Sequence, residues 1–329
     1  MKKLILAFLF INFNIVTFSQ VIKGTVFEDE TNNPVCYATV YFNGTFVGTI
    51  SDQNGNFKLN TFRNKSMPVT VSAVGYYSVT LNDFSETDQL IVYLQPKIYK
   101  IKDVIISAKS LERQRRRNLR LFKKEFIGTT PNAQECEILN ESDITFNYDT
   151  DNDTLKAHAL NPILIENKAL GYKITYYLDK FEFYKRNEAT FFSGNFIFTE
   201  DMTTAEAQME LYKKSREFAY LGSRMHFLRE LWSDNLRSSG FIIKSPSYEQ
   251  LKFNDIVYQD ENHNKFICYT SNILIEYKER KSTIEFMKDY VYFDESGFFN
   301  PGIKWSGDFG QQRISEWLPY EYSIEHNNR

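Results

Sequence analysis

The sequence predicts an N-terminal all-β sandwich followed by an α+β, strand-rich C-terminal domain with a central helical pair. Three observations carry this. Aromatic residues make up 16% of the chain, with 29 Phe and 21 Tyr, and such rings suit half-buried pleated surfaces. From Val21 to about Ala108, short apolar runs alternate with turn residues at the spacing of a sandwich. In the second half, a stretch with helix start and stop signals lies between strand-like runs.

In the first region, Val21 to Phe27 reads as a strand and Asp29 to Pro34 as a turn. Ala38 to Phe42 is the next strand. Gly48 to Phe57 encloses a tight turn in which Gly55 supplies a positive φ. Val69 to Val74, Tyr77 to Leu81 and Leu90 to Leu94 complete the set. Asp52, Asn54 and Asn56 alternate like the opening of a calcium loop, but position twelve would be Arg63 where a bidentate Glu is needed. A hairpin turn accounts for them without metal.

Lys109 to Lys124 is strongly basic, and Leu119, Phe122 and Phe126 recur at helical spacing. An amphipathic linker helix is expected over 109–125. Its Arg113, Arg115, Arg116, Arg117 and Arg120 could meet lipid phosphates at an outer-membrane surface, or simply face water. Beyond it, 126–329 reads as one domain. Leu155 to Glu166 and Tyr172 to Tyr184 form a hairpin about Gly171, and Phe191 to Thr199 is a further strand. Thr203 with Glu206 opens a helix that breaks near Gly222. Ser223 caps a second helix, ending before Gly240. Strands return at Lys265 to Tyr269, Ile273 to Lys278, Thr283 to Met287 and Tyr290 to Phe293, and Asp294 to Gly297 makes a turn.

Residues 1–19 read as a secretory signal peptide. Lys2 and Lys3 precede a mostly apolar run from Leu4 to Phe18, and small Thr17 and Ser19 stand before Gln20. The expected protein is therefore exported, and its first domain spans 20–108. A net charge of −3 gives no general attraction to nucleic acid. Cys36, Cys136 and Cys268 permit one disulfide with a leftover thiol, or none.

Gly24-Thr25-Val26, Pro34-Val35, Ala38-Thr39-Val40, Gly48-Thr49, Asp52 to Phe57 and Val74-Gly75-Tyr76 together resemble the carboxypeptidase regulatory-like domain. The resemblance implies a small transthyretin-like sandwich of the kind found in envelope proteins of Gram-negative bacteria, and with it a place in the periplasm or at the outer membrane. It does not imply a peptidase: none of His158, His226, His263 and His326 has Glu three residues on, as the zinc-binding HxxE of a metallocarboxypeptidase requires. In the second half, Ile165 to Tyr172, Tyr220 to Leu228 and Leu318 to Tyr322 resemble uncharacterised envelope proteins that carry the same first domain. That likeness implies no activity.

The densest cluster of catalytic residue types is Arg224, His226, Arg229, Glu230 and Trp232. His226 and Glu230, four apart on a helix, share a face and could act as an acid–base pair on envelope polymers, or merely support the helix. Arg224 and Arg229, with Trp232, would suit a carboxylate or phosphate ligand and repel a metal ion. No nucleophile elbow, phosphate loop, dinucleotide fingerprint or zinc-protease motif is present, and no cofactor is expected. Asp153-Thr154-Leu155 fits a short O-glycosylation sequon. The leading expectation is a non-enzymatic envelope interaction or assembly module for a protein, peptide or glycan; an enzyme and a small-ligand carrier are the alternatives.

Overall fold

The computed structural model describes residues 21–61, 67–82, 84, 89–97, 108–200 and 206–324. The expected signal peptide, the Thr203 cap and His326 lie outside them.

Seven strands build the first region: β1 (Val21–Glu28), β2 (Thr39–Phe42), β3 (Gly48–Ile50), β4 (Asn56–Asn60), β5 (Val69–Ser72), β6 (Val79–Leu81) and β7 (Gln89–Leu94). They form two sheets, β4-β1-β7 and β3-β2-β5-β6, with β7 parallel to β1. The period-two alternation drives this packing: Phe57 and Leu59 point inward while Asn56, Lys58 and Asn60 face water. Ile22, Val26, Val40, Val69, Val71 and Val92 fill the space between the sheets. Gly55 has φ +77°, and the Asp52 carboxylate accepts the backbone N–H groups of Asn54 and Asn56 at 2.9 and 2.8 Å, so the turn closes on its own side chain.

The second region opens with α1 (Ala108–Phe126) and α2 (Pro131–Gln134), followed by β8 (Cys136–Ile138), β9 (Ile144–Asp149), β10 (Thr154–Ala159), β11 (Ile163–Asn167), β12 (Tyr172–Tyr184) and β13 (Ala189–Glu200). Helix α1 is more than a linker: Phe122 and Phe126 are fully buried in the same core as Ile144, Ile165 and Phe181. Its basic face stays outside. Arg115 donates to the carbonyls of Ile144 (2.6 Å) and Glu141 (2.7 Å), whereas Arg113, Arg116, Arg117 and Arg120 are exposed.

The single strand expected over Leu155 to Glu166 is two. Leu160, Asn161 and Pro162 interrupt it, and Pro162 has no N–H to donate to a ladder. β10 then pairs with the far end of the long β12, and β11 with its beginning. Gly171 has φ +67° and lies so close to the Tyr212 ring that a Cβ would sit 2.3 Å from it. Thr154 of the sequon is buried, and its hydroxyl donates to the Asn152 carbonyl at 2.9 Å.

The remainder comprises α3 (Glu206–Tyr220), α4 (Arg224–Trp232), α5 (Leu236–Ser239), β14 (Phe241–Lys244), α6 (Phe253–Ile256), β15 (Val257–Gln259), β16 (Lys265–Ile267), β17 (Ile273–Tyr277), β18 (Arg280–Phe286), β19 (Val291–Phe293), β20 (Ile303–Gly307) and α7 (Asp308–Gln311). Two antiparallel sheets, β14-β17-β18-β20 and β15-β16-β19, enclose a third core around Phe227, Leu231, Ile275 and Phe293. The expected single domain over 126–329 thus holds two hydrophobic cores. The expected second helix ends early at Trp232, and a separate short α5 runs up to Gly240 at φ +94°. All three cysteines are free thiols; Cys36 is exposed, and burial pushes Cys136 up to about 12.

Candidate ligand cleft

Helix α4 is where the predicted cluster lies, and its start is fixed locally. Gly222 takes φ +74°, and a Cβ there would strike the Arg280 guanidinium and the Tyr277 ring. The Ser223 hydroxyl then accepts the N–H of His226 at 3.1 Å, capping the helix. From this start the helix register sends the five predicted residues in different directions.

His226 points into the third core. It is 5% exposed and ringed by Tyr220, Phe241 and Tyr277, with centroids 4.8–5.7 Å away. Its Nδ1 accepts the Gly222 N–H at 2.9 Å, which leaves the proton on Nε2, 3.7 Å from Glu230 Oε1. Burial, with Arg229, Arg280 and Lys278 nearby, pushes its pKa down to about 4. A neutral imidazole packed among three rings serves as a support of the helix. Glu230 turns its other oxygen to Asn235 at 2.7 Å. Trp232 packs on Phe293, and Lys265 lies over its ring at 4.5 Å. Arg229 donates to three backbone carbonyls, of Ser296 (2.8 Å), Tyr322 (2.7 Å) and Tyr320 (3.0 Å), tying the C-terminal segment to the helix.

Of the five, Arg224 alone is placed at a cleft wall. It lines a cleft of about 680 Å³ at the meeting of the three cores. The sandwich contributes Asn43, Thr70 and Asn82; β13 contributes Phe192, Gly194 and Phe196; Phe298 and Asn300 come from the third unit. Trp317 and Tyr320 form part of the wall. The Arg224 guanidinium reaches only the Gln312 carbonyl, at a long 3.4 Å, and forms no salt bridge among the described residues. Burial pushes it down to about 10; the Tyr320 hydroxyl opposes that shift and Arg313 adds to it. Lys288 is a second cation on the rim. The one carboxylate in the wall, Glu316, is taken up by Thr130 (2.5 Å) and Asn132 (3.0 Å). The Trp317 indole N–H is buried without a partner among the described residues. This is a cleft with aromatic walls and unspent donors, suited to an acceptor-rich anion.

Comparison with known proteins addresses the sandwich. Residues 22–106 match the family model of the CarboxypepD_reg-like domain. No curated protein matches the chain. One solved structure, of a Bacteroides fragilis protein of unknown function described as membrane-associated, aligns over 87% of this chain and 94% of its own at 10% identity, with a TM-score of 0.18. Similarity that slight carries no argument. The CarboxypepD_reg-like domain is a regulatory, non-catalytic fold, and here it builds one wall of the cleft.

The CarboxypepD_reg-like domain docks by its β2–β3 turn. Phe46 packs on Tyr172 and Phe198, Thr39 and Tyr177 share a hydroxyl hydrogen bond of 2.8 Å, and Lys97 donates to the Leu178 carbonyl at 3.0 Å. A second surface depression, beside α1 and β8, is lined by charges that satisfy one another, Lys123 with Glu141 at 2.7 Å and Lys168 with Glu137 at 3.0 Å. Among the described residues, no group of His, Cys, Asp or Glu converges as a metal site and no helix is long and apolar enough to cross a membrane. Sequence reasoning named Arg224 but missed Trp317, Phe196 and Lys288, which share no motif with it.

Proposed function

We propose that this protein is a non-enzymatic binding module of the cell envelope, exported by its N-terminal signal and holding a protein, peptide or glycan ligand in the cleft where its three cores meet. The observation that carries the reading is Arg224, a poorly solvated guanidinium with no carboxylate partner among the described residues, set among aromatic rings. A buried cation is normally paired, so an unpaired one on a cleft wall marks the place of an anionic ligand group. The CarboxypepD_reg-like domain fits this role as a wall and docking unit. The exposed arginines of α1, on another surface, would hold the module near anionic lipid.

In-cell photo-crosslinking tests the reading. A benzophenone residue at Lys288, on the rim, should give one dominant envelope adduct, and the same residue at exposed Lys58 on the sandwich should not. Equal adducts from both positions, or none from Lys288, would count against the cleft.

A further inference from the structure

Strand β13 pairs with β12 along one side only, and its other side is partly occupied. Phe196 N–H donates to Asn43 Oδ1 at 2.8 Å, its carbonyl accepts the Gly44 N–H at 2.9 Å, and Phe198 N–H donates to the Thr45 carbonyl at 2.9 Å. Outward-facing backbone groups recur every second residue along a strand. Gly194 and Phe192 are therefore next on that edge, and both line the cleft. Among the described residues, neither makes a backbone hydrogen bond outside the β12 ladder. The open edge stops at the Asn43–Thr45 turn.

Arg224 shares the cleft with that blocked end. Asn43, Phe196, Tyr320 and Arg224 all line it, and the Tyr320 ring lies 2.8 Å from where a Gly44 Cβ would be. An open edge that ends abruptly in a cleft holding an unpaired cation fits a chain that also ends there. We propose, resting on the binding-module reading, that the cleft captures the free C-terminus of an extended peptide. The peptide backbone adds to β13 at Phe192 and Gly194, its terminal carboxylate pairs with Arg224, and its last side chains lie against Phe196, Trp317 and Phe298. A glycan has no alternating N–H and C=O groups to use this edge. A mid-chain acidic residue would drive the rest of the peptide into the turn.

The probe comes from selecting a random hexapeptide library with free C-termini against the chain from Gln20 to Arg329. The best binder is then made as the free acid and as the C-terminal amide. The amide should bind at least tenfold more weakly. Arg224→Gln should weaken the acid by a similar factor and leave the amide unchanged, with the melting temperature of the variant close to that of the parent. Amide exchange at Phe192 and Gly194 should slow when the acid binds. Equal affinity for acid and amide, indifference to Arg224→Gln, or failure to select any binder would overturn the proposal. If the amide, or an oligogalacturonate probe, protects the cleft instead, only the C-terminal reading falls and the binding module stands. If nothing protects the cleft and Lys288 gives no adduct, both fall.

Discussion

Arg224 and Arg229 stand five residues apart on one helix and look alike in the sequence, yet they have opposite roles. Arg229 directs its donors at three backbone carbonyls that no other side chain reaches in the same way. Arg224 touches one carbonyl at the limit of hydrogen-bonding distance and looks into a cleft. The first is a clamp whose chemistry is complete within the fold. The second has no carboxylate partner among the described residues, which is what the proposed ligand would supply. The lesson concerns how charged residues should be read: residue type marks a candidate, but the destination of each donor separates structure from site.

The largest effect should come from breaking the clamp. Arg229→Ala leaves three carbonyls short of charge-assisted donors and should destabilise the protein by about 4 kcal/mol. Arg224→Ala removes an unpaired buried cation and should change stability by less than about 1 kcal/mol. Urea denaturation of both variants measures the contrast. Equal losses would dissolve the distinction, since Arg224 would then be holding the fold as well.

Much of the frame was legible because its signals are local. The strand positions of the sandwich, the turns at Gly55 and Gly171, and the Ser223 cap each depend on a few neighbouring residues with restricted backbone choices. Pro162 was a legible strand breaker that the alternating pattern around it concealed. The division of the second half into two cores was not legible, since both halves use the same mixture of rings and aliphatic residues and only three-dimensional packing sorts Phe181 from Phe227. The cleft was invisible for a stronger reason. Thr70, Phe192, Arg224, Phe298 and Trp317 meet only after three separate units have docked.

His226 sharpens the comparison, since it lies between the two arginines and is the most deeply buried polar group of the three. Its native pKa is about 4 against an ordinary 6.5. The unfolded chain binds the proton as pH falls through 6.5, while the native protein resists until about 4. Stability should therefore be fully present above 6.5, decline between 6.5 and 4 by on the order of 3 kcal/mol, and then level off on this account. His226→Asn, which cannot titrate, should lack that part of the slope. Parallel stability curves for parent and variant across this window would mean that His226 is solvated, reopening it as an acid–base residue.

A smaller loss than that of His226 addresses how the cleft of Arg224 is bounded at one end. Gly44 has φ +78° and lies against the Tyr320 ring, while its own N–H and C=O join β13 to the C-terminal segment through Phe196 and Tyr320. Valine there must adopt a left-handed backbone and push the ring aside, so Gly44→Val should cost about 2 kcal/mol. The loss should be local as well as global. Amides of Phe196 and Phe198, which donate to this turn, should exchange more than tenfold faster, whereas those of Ile174 and Ile165 deeper in the same sheet should change only with overall stability. Arg229 should feel little of this through Ser296, although its bond to the Tyr320 carbonyl could loosen the clamp with the turn. Uniform acceleration at all four amides would show that turn and sheet open as one unit, and the blocked edge beside Arg224 would then be a consequence of global folding and not a separately docked stop.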